Sequence, residues 1–321
     1  MMKKKIAMFS FVRISDNSMV ASVRIAKWLQ KKLDVPLYWD ESIGEHRDLD
    51  VLIIINGAYS FSKALEPLSH AIYGAKTVVW LQQDYSIVPP INNGQAESPF
   101  RRAFVRRKED GKSDTVYWST CEKWASRRDS HYVNWNQLTF DDAYDERVIA
   151  NRRRMATDVL FYYGSFRKDR ASLFDRYLAA PFVRTVVSSP VEKFKEAYPS
   201  IVTTGPVIGD FFGVLGSYGL GLYVEDRKSS REYHSPANRF YEMLSAGLPM
   251  VFQPECGTML RKAGFNPEPY YVHKASDIKK MMARREEIGA LQRQEWVKGR
   301  PEFFRETLET QLNKARRDVG I

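Results

Sequence analysis

Four stretches of this chain carry side chains whose types and spacing could do chemistry. Gly164-Ser165-Phe166-Arg167-Lys168-Asp169-Arg170 crowds three cations directly behind the apolar run Asp158–Tyr163. A guanidinium fork matches two phosphate oxygens, and a lysine adds a point charge. Cations at a helix start oppose the helix dipole, so a phosphate grip and a solvated helix start both stay open. Ser235-Pro236-Ala237-Asn238 opens a second helix, with Ser235 as N-cap and Pro236 at the first helical position. The N–H groups at Ser235–Asn238 suit a diphosphate, and Glu242 follows two turns in; a well-capped structural helix is the alternative. Asp84, in Gln82–Ser86, follows the run Thr77–Leu81. An acid there could position a hydroxyl or take its proton, or make an Asx turn before Pro89-Pro90. Arg101, Arg102, Arg106, Arg107 and Lys108, then Arg127 and Arg128, are interleaved with Phe104, Trp118 and Trp124. Such a mixture suits phosphate backbones and unstacked bases, and equally a solvated charged face.

These residues need elements to hold them. Lys5–Phe11, Leu52–Asn56, Thr77–Leu81 and Thr115–Trp118 are short apolar runs of the kind buried on both faces of a parallel sheet. Met19–Leu33 places Ala21, Ile25, Trp28 and Leu29 at helical spacing. The pattern restarts with Asp158–Tyr163, a helix over Arg167–Ala179, and strands at Phe182–Ser188, Gly221–Glu225, Pro249–Gln253 and Tyr270–Val272. Alternating strands and helices predict two doubly wound α/β halves, with a linker near Tyr132–Asp145, where turn residues cluster. In such sheets ligands sit outside the carboxyl ends of the strands, which is where the candidate residues fall. Ala275–Arg317 is charged and helical, without strand signals.

The chain has 321 residues, enough for two domains and a real core. With 44% hydrophobic and 27% charged residues it is ordinary globular material, neither disordered nor fibrous. Its 49 Lys and Arg against 39 Asp and Glu leave a formal net charge of +10. That surplus suggests a polyanionic partner without choosing between nucleic acid, membrane surface and phosphorylated ligand. Cys121 and Cys256 make no disulfide framework and fit a reducing compartment. The apolar stretch after Lys3-Lys4-Lys5 is too short for a signal peptide, and no run is long enough to span a bilayer. The expectation is a cytoplasmic protein. The five histidines show no metal spacing, and GxxxxGK[ST], GxGxxG after the first strand and GxSxG are missing. P-loop NTPases, standard nicotinamide dehydrogenases, α/β-hydrolases and zinc enzymes are disfavoured; a nucleotide-sugar enzyme needs none of these motifs.

Glu242 followed by Gly247-Leu248-Pro249-Met250-Val251-Phe252 is similar to the nucleotide-sugar site of GT-B glycosyltransferases, α/β enzymes with two Rossmann-like domains facing a cleft. Four stretches resemble phage DNA α-glucosyltransferases more closely: Leu81–Ile87, Tyr132–Asp141, Tyr162–Arg170 and Gly219–Phe252. Gln83 and Tyr85 stand where that family has histidines, His234 stands where retaining enzymes carry a second Glu, and Ser10–Ser18 lacks the usual Gly pair.

The resemblance implies an acceptor (DNA) domain over 1–142, a nucleotide-sugar domain over 143–300, and a C-terminal helix in 301–321 packing back on the first. It implies a sugar, glucose above all, moved from a UDP-sugar to a 5-hydroxymethylpyrimidine in double-stranded DNA, with retention and base flipping. Arg167, Lys168 and Arg170, with the N–H groups at Ser235 and Asn238, would hold the diphosphate; Glu242 would hold the ribose; Asp84 and Arg167 would be catalytic. Arg101, Arg102, Arg106, Arg107, Lys108, Arg127 and Arg128 would bind DNA, while Phe104, Trp118 or Trp124 fills the gap left by the flipped base. No obligatory metal or cofactor is implied, and the protein would be a monomer that does not bind membranes. The alternatives are a GT-B enzyme with a polysaccharide, lipid or small-molecule acceptor, and a catalytically dead DNA-binding module.

Overall fold

The computed structural model describes residues 5–11, 21–56, 65–82, 99–112, 115–119, 130–133, 156–164, 166–178, 184–188, 191–204, 211–226 and 236–295, with a few single positions elsewhere. The chain divides into two compact units, Met1–Thr139 with Glu306–Ile321, and Phe140–Arg305.

The first unit holds strands β1 (Ile6–Ser10), β2 (Leu37–Tyr38), β3 (Val51–Asn56), β4 (Thr77–Gln82), β5 (Thr115–Ser119) and β6 (Ser130–Tyr132) in one sheet of order β2-β1-β3-β4-β5-β6. Every neighbouring pair is parallel. Helices α1 (Ala21–Leu33), α2 (Leu65–Gly74) and α3 (Pro99–Glu109) alternate with them. The continuous apolar runs became strands because both faces are covered: Leu52 to Ile55 have no exposed surface. On one face Ala7, Phe9, Leu52, Ile54, Val78 and Trp80, each two residues apart along its strand, pack with Leu68, Ile72 and Phe104 from α2 and α3.

The second unit has β7 (Val159–Tyr163), β8 (Arg184–Ser188), β9 (Val202–Thr204), β10 (Leu220–Tyr223) and β11 (Met250–Phe252), again all parallel, in the order β11-β10-β7-β8-β9. Its helices are α4 (Ala171–Tyr177), α5 (Val191–Ala197), α6 (Phe211–Gly216), α7 (Asn238–Ala246), α8 (Gly257–Lys262), α9 (Ala275–Ala283) and α10 (Arg285–Arg293). Leu160, Tyr162, Leu220, Leu222 and Val251 meet Phe174, Phe194 and Ile278 in its core. Strand β7 lies between β8 and β10, so the chain winds away from it in opposite directions. That is a topological switch point, and it opens a crevice at the carboxyl ends of β7 and β10. The edge strand β11 is closed by a side chain: buried Gln292 donates to Met250 O at 2.7 Å and accepts from Met250 N at 2.9 Å.

The expected fold class, two Rossmann-like α/β units, is borne out. Several expected elements are corrected. Tyr270–Val272 is a 3-10 turn (Glu268–Tyr270) followed by one bridge, Phe252 to Tyr271, because Pro269 has no N–H for a ladder. The helix expected over Arg167–Ala179 splits into a 3-10 turn, Lys168–Arg170, and α4. β2, β6 and β9, two or three residues each, had no sequence signal.

Candidate functional site

The switch point of the second unit gathers an unusual density of buried charge. Arg170, in the turn after β7, Glu225 and Asp226, directly after β10, and Arg239 and Glu242, on α7, are all buried. A charge taken out of water needs a partner, and for Arg170, Arg239, Glu225 and Asp226 the partners are each other. Arg170 Nη2 donates to Glu225 Oε2 at 2.6 Å and lies 3.4 Å from Asp226 Oδ2. Arg239 Nη2 donates to the other oxygen of Glu225 and, at 2.8 Å, to Val224 O. Glu225 thus bridges two guanidiniums, one per carboxylate oxygen. Exposed Arg167 adds a third, paired with Asp169 and 3.6 Å from Asp226. Burial is the largest influence on the Arg170 guanidinium and works against its charge, as does Arg239, but the Glu225 carboxylate and the Tyr162 hydroxyl together hold the group above its ordinary value.

The backbone makes room for this cluster. Gly164 ends β7 with φ +146, and a Cβ there would lie 2.9 Å from the Tyr162 hydroxyl and 3.1 Å from Arg239 Nη1. Only glycine lets the chain turn out of the strand while the guanidinium comes in. Arg239 lies against the Tyr223 ring, 5.2 Å from its centroid, and the Tyr223 hydroxyl accepts from Ala237 N at 2.8 Å. Burial, reinforced by Glu225, keeps that phenol protonated, well above its usual pKa. Helix α7 stops at Gly247, φ +72, where a Cβ would come within 2.2 Å of Ile149. The same glycine aims the chain through Pro249 into β11.

Of the expected donor residues, Arg167, Arg170, Asn238 and Glu242 fall at this end of the sheet, Asn238 as the first residue of α7. Lys168 is there too and exposed. The N-cap of α7 is Ala237, not Ser235: the helix starts later than its composition suggests, with no side-chain cap, and Ser235 itself is outside the described residues. Sequence reasoning missed Arg239, Glu225 and Asp226. Signals existed for all three: Arg239 precedes Glu242 by three residues, which puts both on one helix face, and Glu225-Asp226 ends the run Gly219–Asp226 just past a strand.

In the first unit, Asp84, Trp124, Arg127 and Arg128 lie outside the described residues, as does the side chain of Arg101. Arg102, Arg106 and Lys108 are exposed on α3, and the Arg106 guanidinium stacks 4.5 Å from the Tyr73 ring centroid. Between α2 and α3 runs a groove of about 1060 Å³ lined by three cations, Arg47, Arg102 and Arg106, and three carboxylates, Glu66, Glu109 and Asp110. Arg107 is a correction. It is 1% exposed, and its guanidinium holds the carbonyls of Ile72, Ala75 and Lys76; no phosphate can reach it. Phe104 and Trp118 are also corrected: both are buried, Phe104 edge-on to Trp80 at 6.0 Å, so neither can stack on a base.

Among the described residues no group of three or more His, Cys, Asp or Glu could hold a metal ion. The adjacent carboxylates Glu225 and Asp226 are engaged by guanidiniums instead, so these residues do not fit a divalent cation. Cys256 is buried, and burial pushes its thiol far above the ordinary range, which makes it inert.

No protein-family model matches the chain, and no curated protein matches it. Solved structures do. A mutant of T4 phage BGT in complex with UDP-glucose superposes with a TM-score of 0.66 at 15% identity, over 99% of this chain and 100% of that one. T4 phage BGT with UDP and Mn2+ gives 0.64 at 14%, over 99% and 100%. An alpha-glucosyltransferase with UDP and a 13-mer DNA containing an HMU base gives 0.53 at 13%, over 99% and 95%. At such identities the likeness shows the fold, which is that of GT-B glycosyltransferases.

Proposed function

We propose that this protein is a UDP-sugar-dependent glycosyltransferase that moves a sugar, glucose by its likeness to the structures above, onto the hydroxymethyl group of a pyrimidine in double-stranded DNA. The observation that carries the reading is the cluster of guanidiniums at the switch point, beside the N-terminus of the helix that carries Glu242 three residues beyond Arg239. That constellation fits a nucleoside diphosphate: guanidiniums and backbone N–H groups for the phosphates, a carboxylate for the ribose hydroxyls.

In the reaction the bond between the anomeric carbon and the UDP oxygen breaks, and a bond from that carbon to the acceptor oxygen forms. Negative charge grows on the departing diphosphate. Arg167, Arg170 and Lys168, with the N–H groups at the start of α7, stabilise it; losing one such preorganised donor lowers turnover by about 10²–10³. Asp84, two residues past the end of β4, receives or orients the acceptor hydroxyl proton. A base within a duplex hides that hydroxyl, so it is extruded before transfer.

Stereochemistry has a second reading. The structures named as beta-glucosyltransferases match with TM-scores up to 0.66 and those named as alpha-glucosyltransferases up to 0.55. This favours attack from the face opposite UDP, with Asp84 as general base, over the retention that the sequence resemblance implies. The anomeric coupling constant of the product, measured by proton NMR, decides.

The test of the function is UDP release, with a panel of UDP-sugars, against plain and hydroxymethylated duplex. Transfer only to the hydroxymethylated DNA is expected. Turnover on a lipid or oligosaccharide but on neither DNA would replace the DNA acceptor with the alternative, and UDP binding without release in any combination would leave a binding module. Among the described residues no helix is long and apolar enough to cross a membrane. The protein would act as a monomer in the cytoplasm, that of the host if it is phage-encoded.

DNA contact is assigned to Arg102, Arg106 and Lys108, with Arg101, Arg127 and Arg128. Each neutralised phosphate steepens the dependence of log affinity on log salt by about 0.9. Replacing Arg102 and Lys108 with Ala together is expected to flatten that slope by roughly two units while leaving UDP affinity unchanged. An unchanged slope in fluorescence-anisotropy titrations removes α3 from the DNA surface.

A further inference from the structure

One buried contact of the second unit has no part in the reading above. The hydroxyl of Tyr163, the last residue of β7, donates to Glu242 Oε2. Along β7 the side chains alternate. Tyr162 points into the core with Phe174, while Phe161 and Tyr163 share the other face, toward α6. The Tyr163 ring is fixed there. It stacks on Phe161 with centroids 5.6 Å apart and meets Phe211 edge-on at 6.2 Å, and Phe161 is itself stacked on Tyr218 at 4.3 Å. A locked ring gives its hydroxyl one position. Glu242, by contrast, has three rotatable bonds, so its carboxylate takes its orientation from the groups bonded to it, the Tyr163 hydroxyl among them.

We propose that Tyr163 is a positioning residue: it fixes the plane of the Glu242 carboxylate so that it meets the two vicinal hydroxyls of the donor ribose, and thereby makes the site select ribonucleotides over 2′-deoxyribonucleotides. The inference rests on the assignment of Glu242 to the ribose. An ionised carboxylate only accepts hydrogen bonds and offers about four lone-pair sites, so a hydroxyl bound at Oε2 sets its plane without exhausting its capacity. A diol needs both oxygens in register; a carboxylate that rotates meets one hydroxyl at a time. The ordering that Tyr163 supplies in the free protein is then not lost again on binding, which is the gain from preorganisation.

The experiment is calorimetric titration of wild type, Tyr163→Phe and Glu242→Gln with UDP and with 2′-deoxy-UDP. Phe keeps the aromatic packing and deletes one hydroxyl. Wild type is expected to prefer UDP by about ten- to a hundred-fold, the worth of a hydrogen bond to a charged group. Tyr163→Phe is expected to weaken UDP about three- to tenfold, as for one side chain that must be ordered on binding, with 2′-deoxy-UDP nearly unchanged, so the preference shrinks. Equal losses for both nucleotides, or a full preference in Tyr163→Phe while Glu242→Gln has lost it, overturns the role of Tyr163 and leaves Glu242 in place. A wild type that does not discriminate overturns the ribose assignment itself, and this inference with it.

Discussion

Glu225→Gln is expected to lower the stability of the second unit by about 3–5 kcal/mol, the cost of removing one member of a buried charge network. The substitution keeps shape and deletes the charge between Arg170 and Arg239, both of which remain buried. The two guanidiniums then face each other with Asp226 as the remaining carboxylate on Arg170. That loss is a large share of the 5–15 kcal/mol that holds a typical domain together. The same geometry makes a second outcome follow. A diphosphate brings the missing negative charge, so saturating UDP or pyrophosphate should raise the melting temperature of Glu225→Gln by more than that of wild type. Ligand that binds the folded state stabilises it in proportion to RT ln(1 + [L]/Kd). Urea titration followed by tryptophan fluorescence reads the first effect and a thermal shift with pyrophosphate the second. A midpoint within error of wild type would mean that Glu225 does not bridge the arginines.

For Arg107→Ala the expectation is a loss of about 3–5 kcal/mol from the first unit, with DNA affinity of the folded fraction unaffected. The reason lies at the C-terminus of α2, where the last carbonyls have no helical donor. Ala75 N still reaches Ala71 O, but Lys76 N turns away to Leu49 O, and Thr77 N to Asp50 O, as the chain enters β4. Ile72 O therefore loses its helical partner, and Arg107 supplies one, bonding it at 2.9 Å together with the carbonyls of Ala75 and Lys76. A cation at that end also complements the helix dipole. Hydrogen bonds from a charged donor are worth about 1.5–3 kcal/mol each, and stranding buried carbonyls costs more than the bonds themselves contribute. Arg107→Lys should recover only part, since an ammonium lacks the planar fork. Should Arg107→Ala melt like wild type yet flatten the salt dependence of DNA binding, the buried assignment is wrong and the arginine belongs with its neighbours on the surface.

The pair Arg106 and Arg107 shows where sequence reading stops. The two residues are adjacent, identical in type, and equally plausible as phosphate ligands in one dimension. In three dimensions a helix turns about 100° between them, so Arg106 lies exposed on Tyr73 and Arg107 is swallowed under α2. Composition cannot tell them apart because α3 carries cations on both faces, and the amphipathic pattern that separates core from surface is blurred.

What the sequence determined by itself is what local chemistry dictates. Runs such as Leu52-Ile53-Ile54-Ile55 and Val159-Leu160-Phe161-Tyr162-Tyr163 must be buried on both faces, and their alternation with helices requires parallel sheets. The rule that ligands gather beyond the carboxyl ends of such strands points to Arg167 and Arg170, and the likeness of Glu242 with Gly247–Phe252 to a nucleotide-sugar site adds Glu242. Tertiary structure alone decided the strand order β11-β10-β7-β8-β9, and with it that the residues after β10 would stand beside those after β7. Glu225 lies 55 residues from Arg170 in the chain and 14 from Arg239, and Glu242 lies 79 from Tyr163. Their meeting depends on which strands pair, and pairing is settled by burial summed over the whole sheet, a quantity that no single stretch of sequence contains.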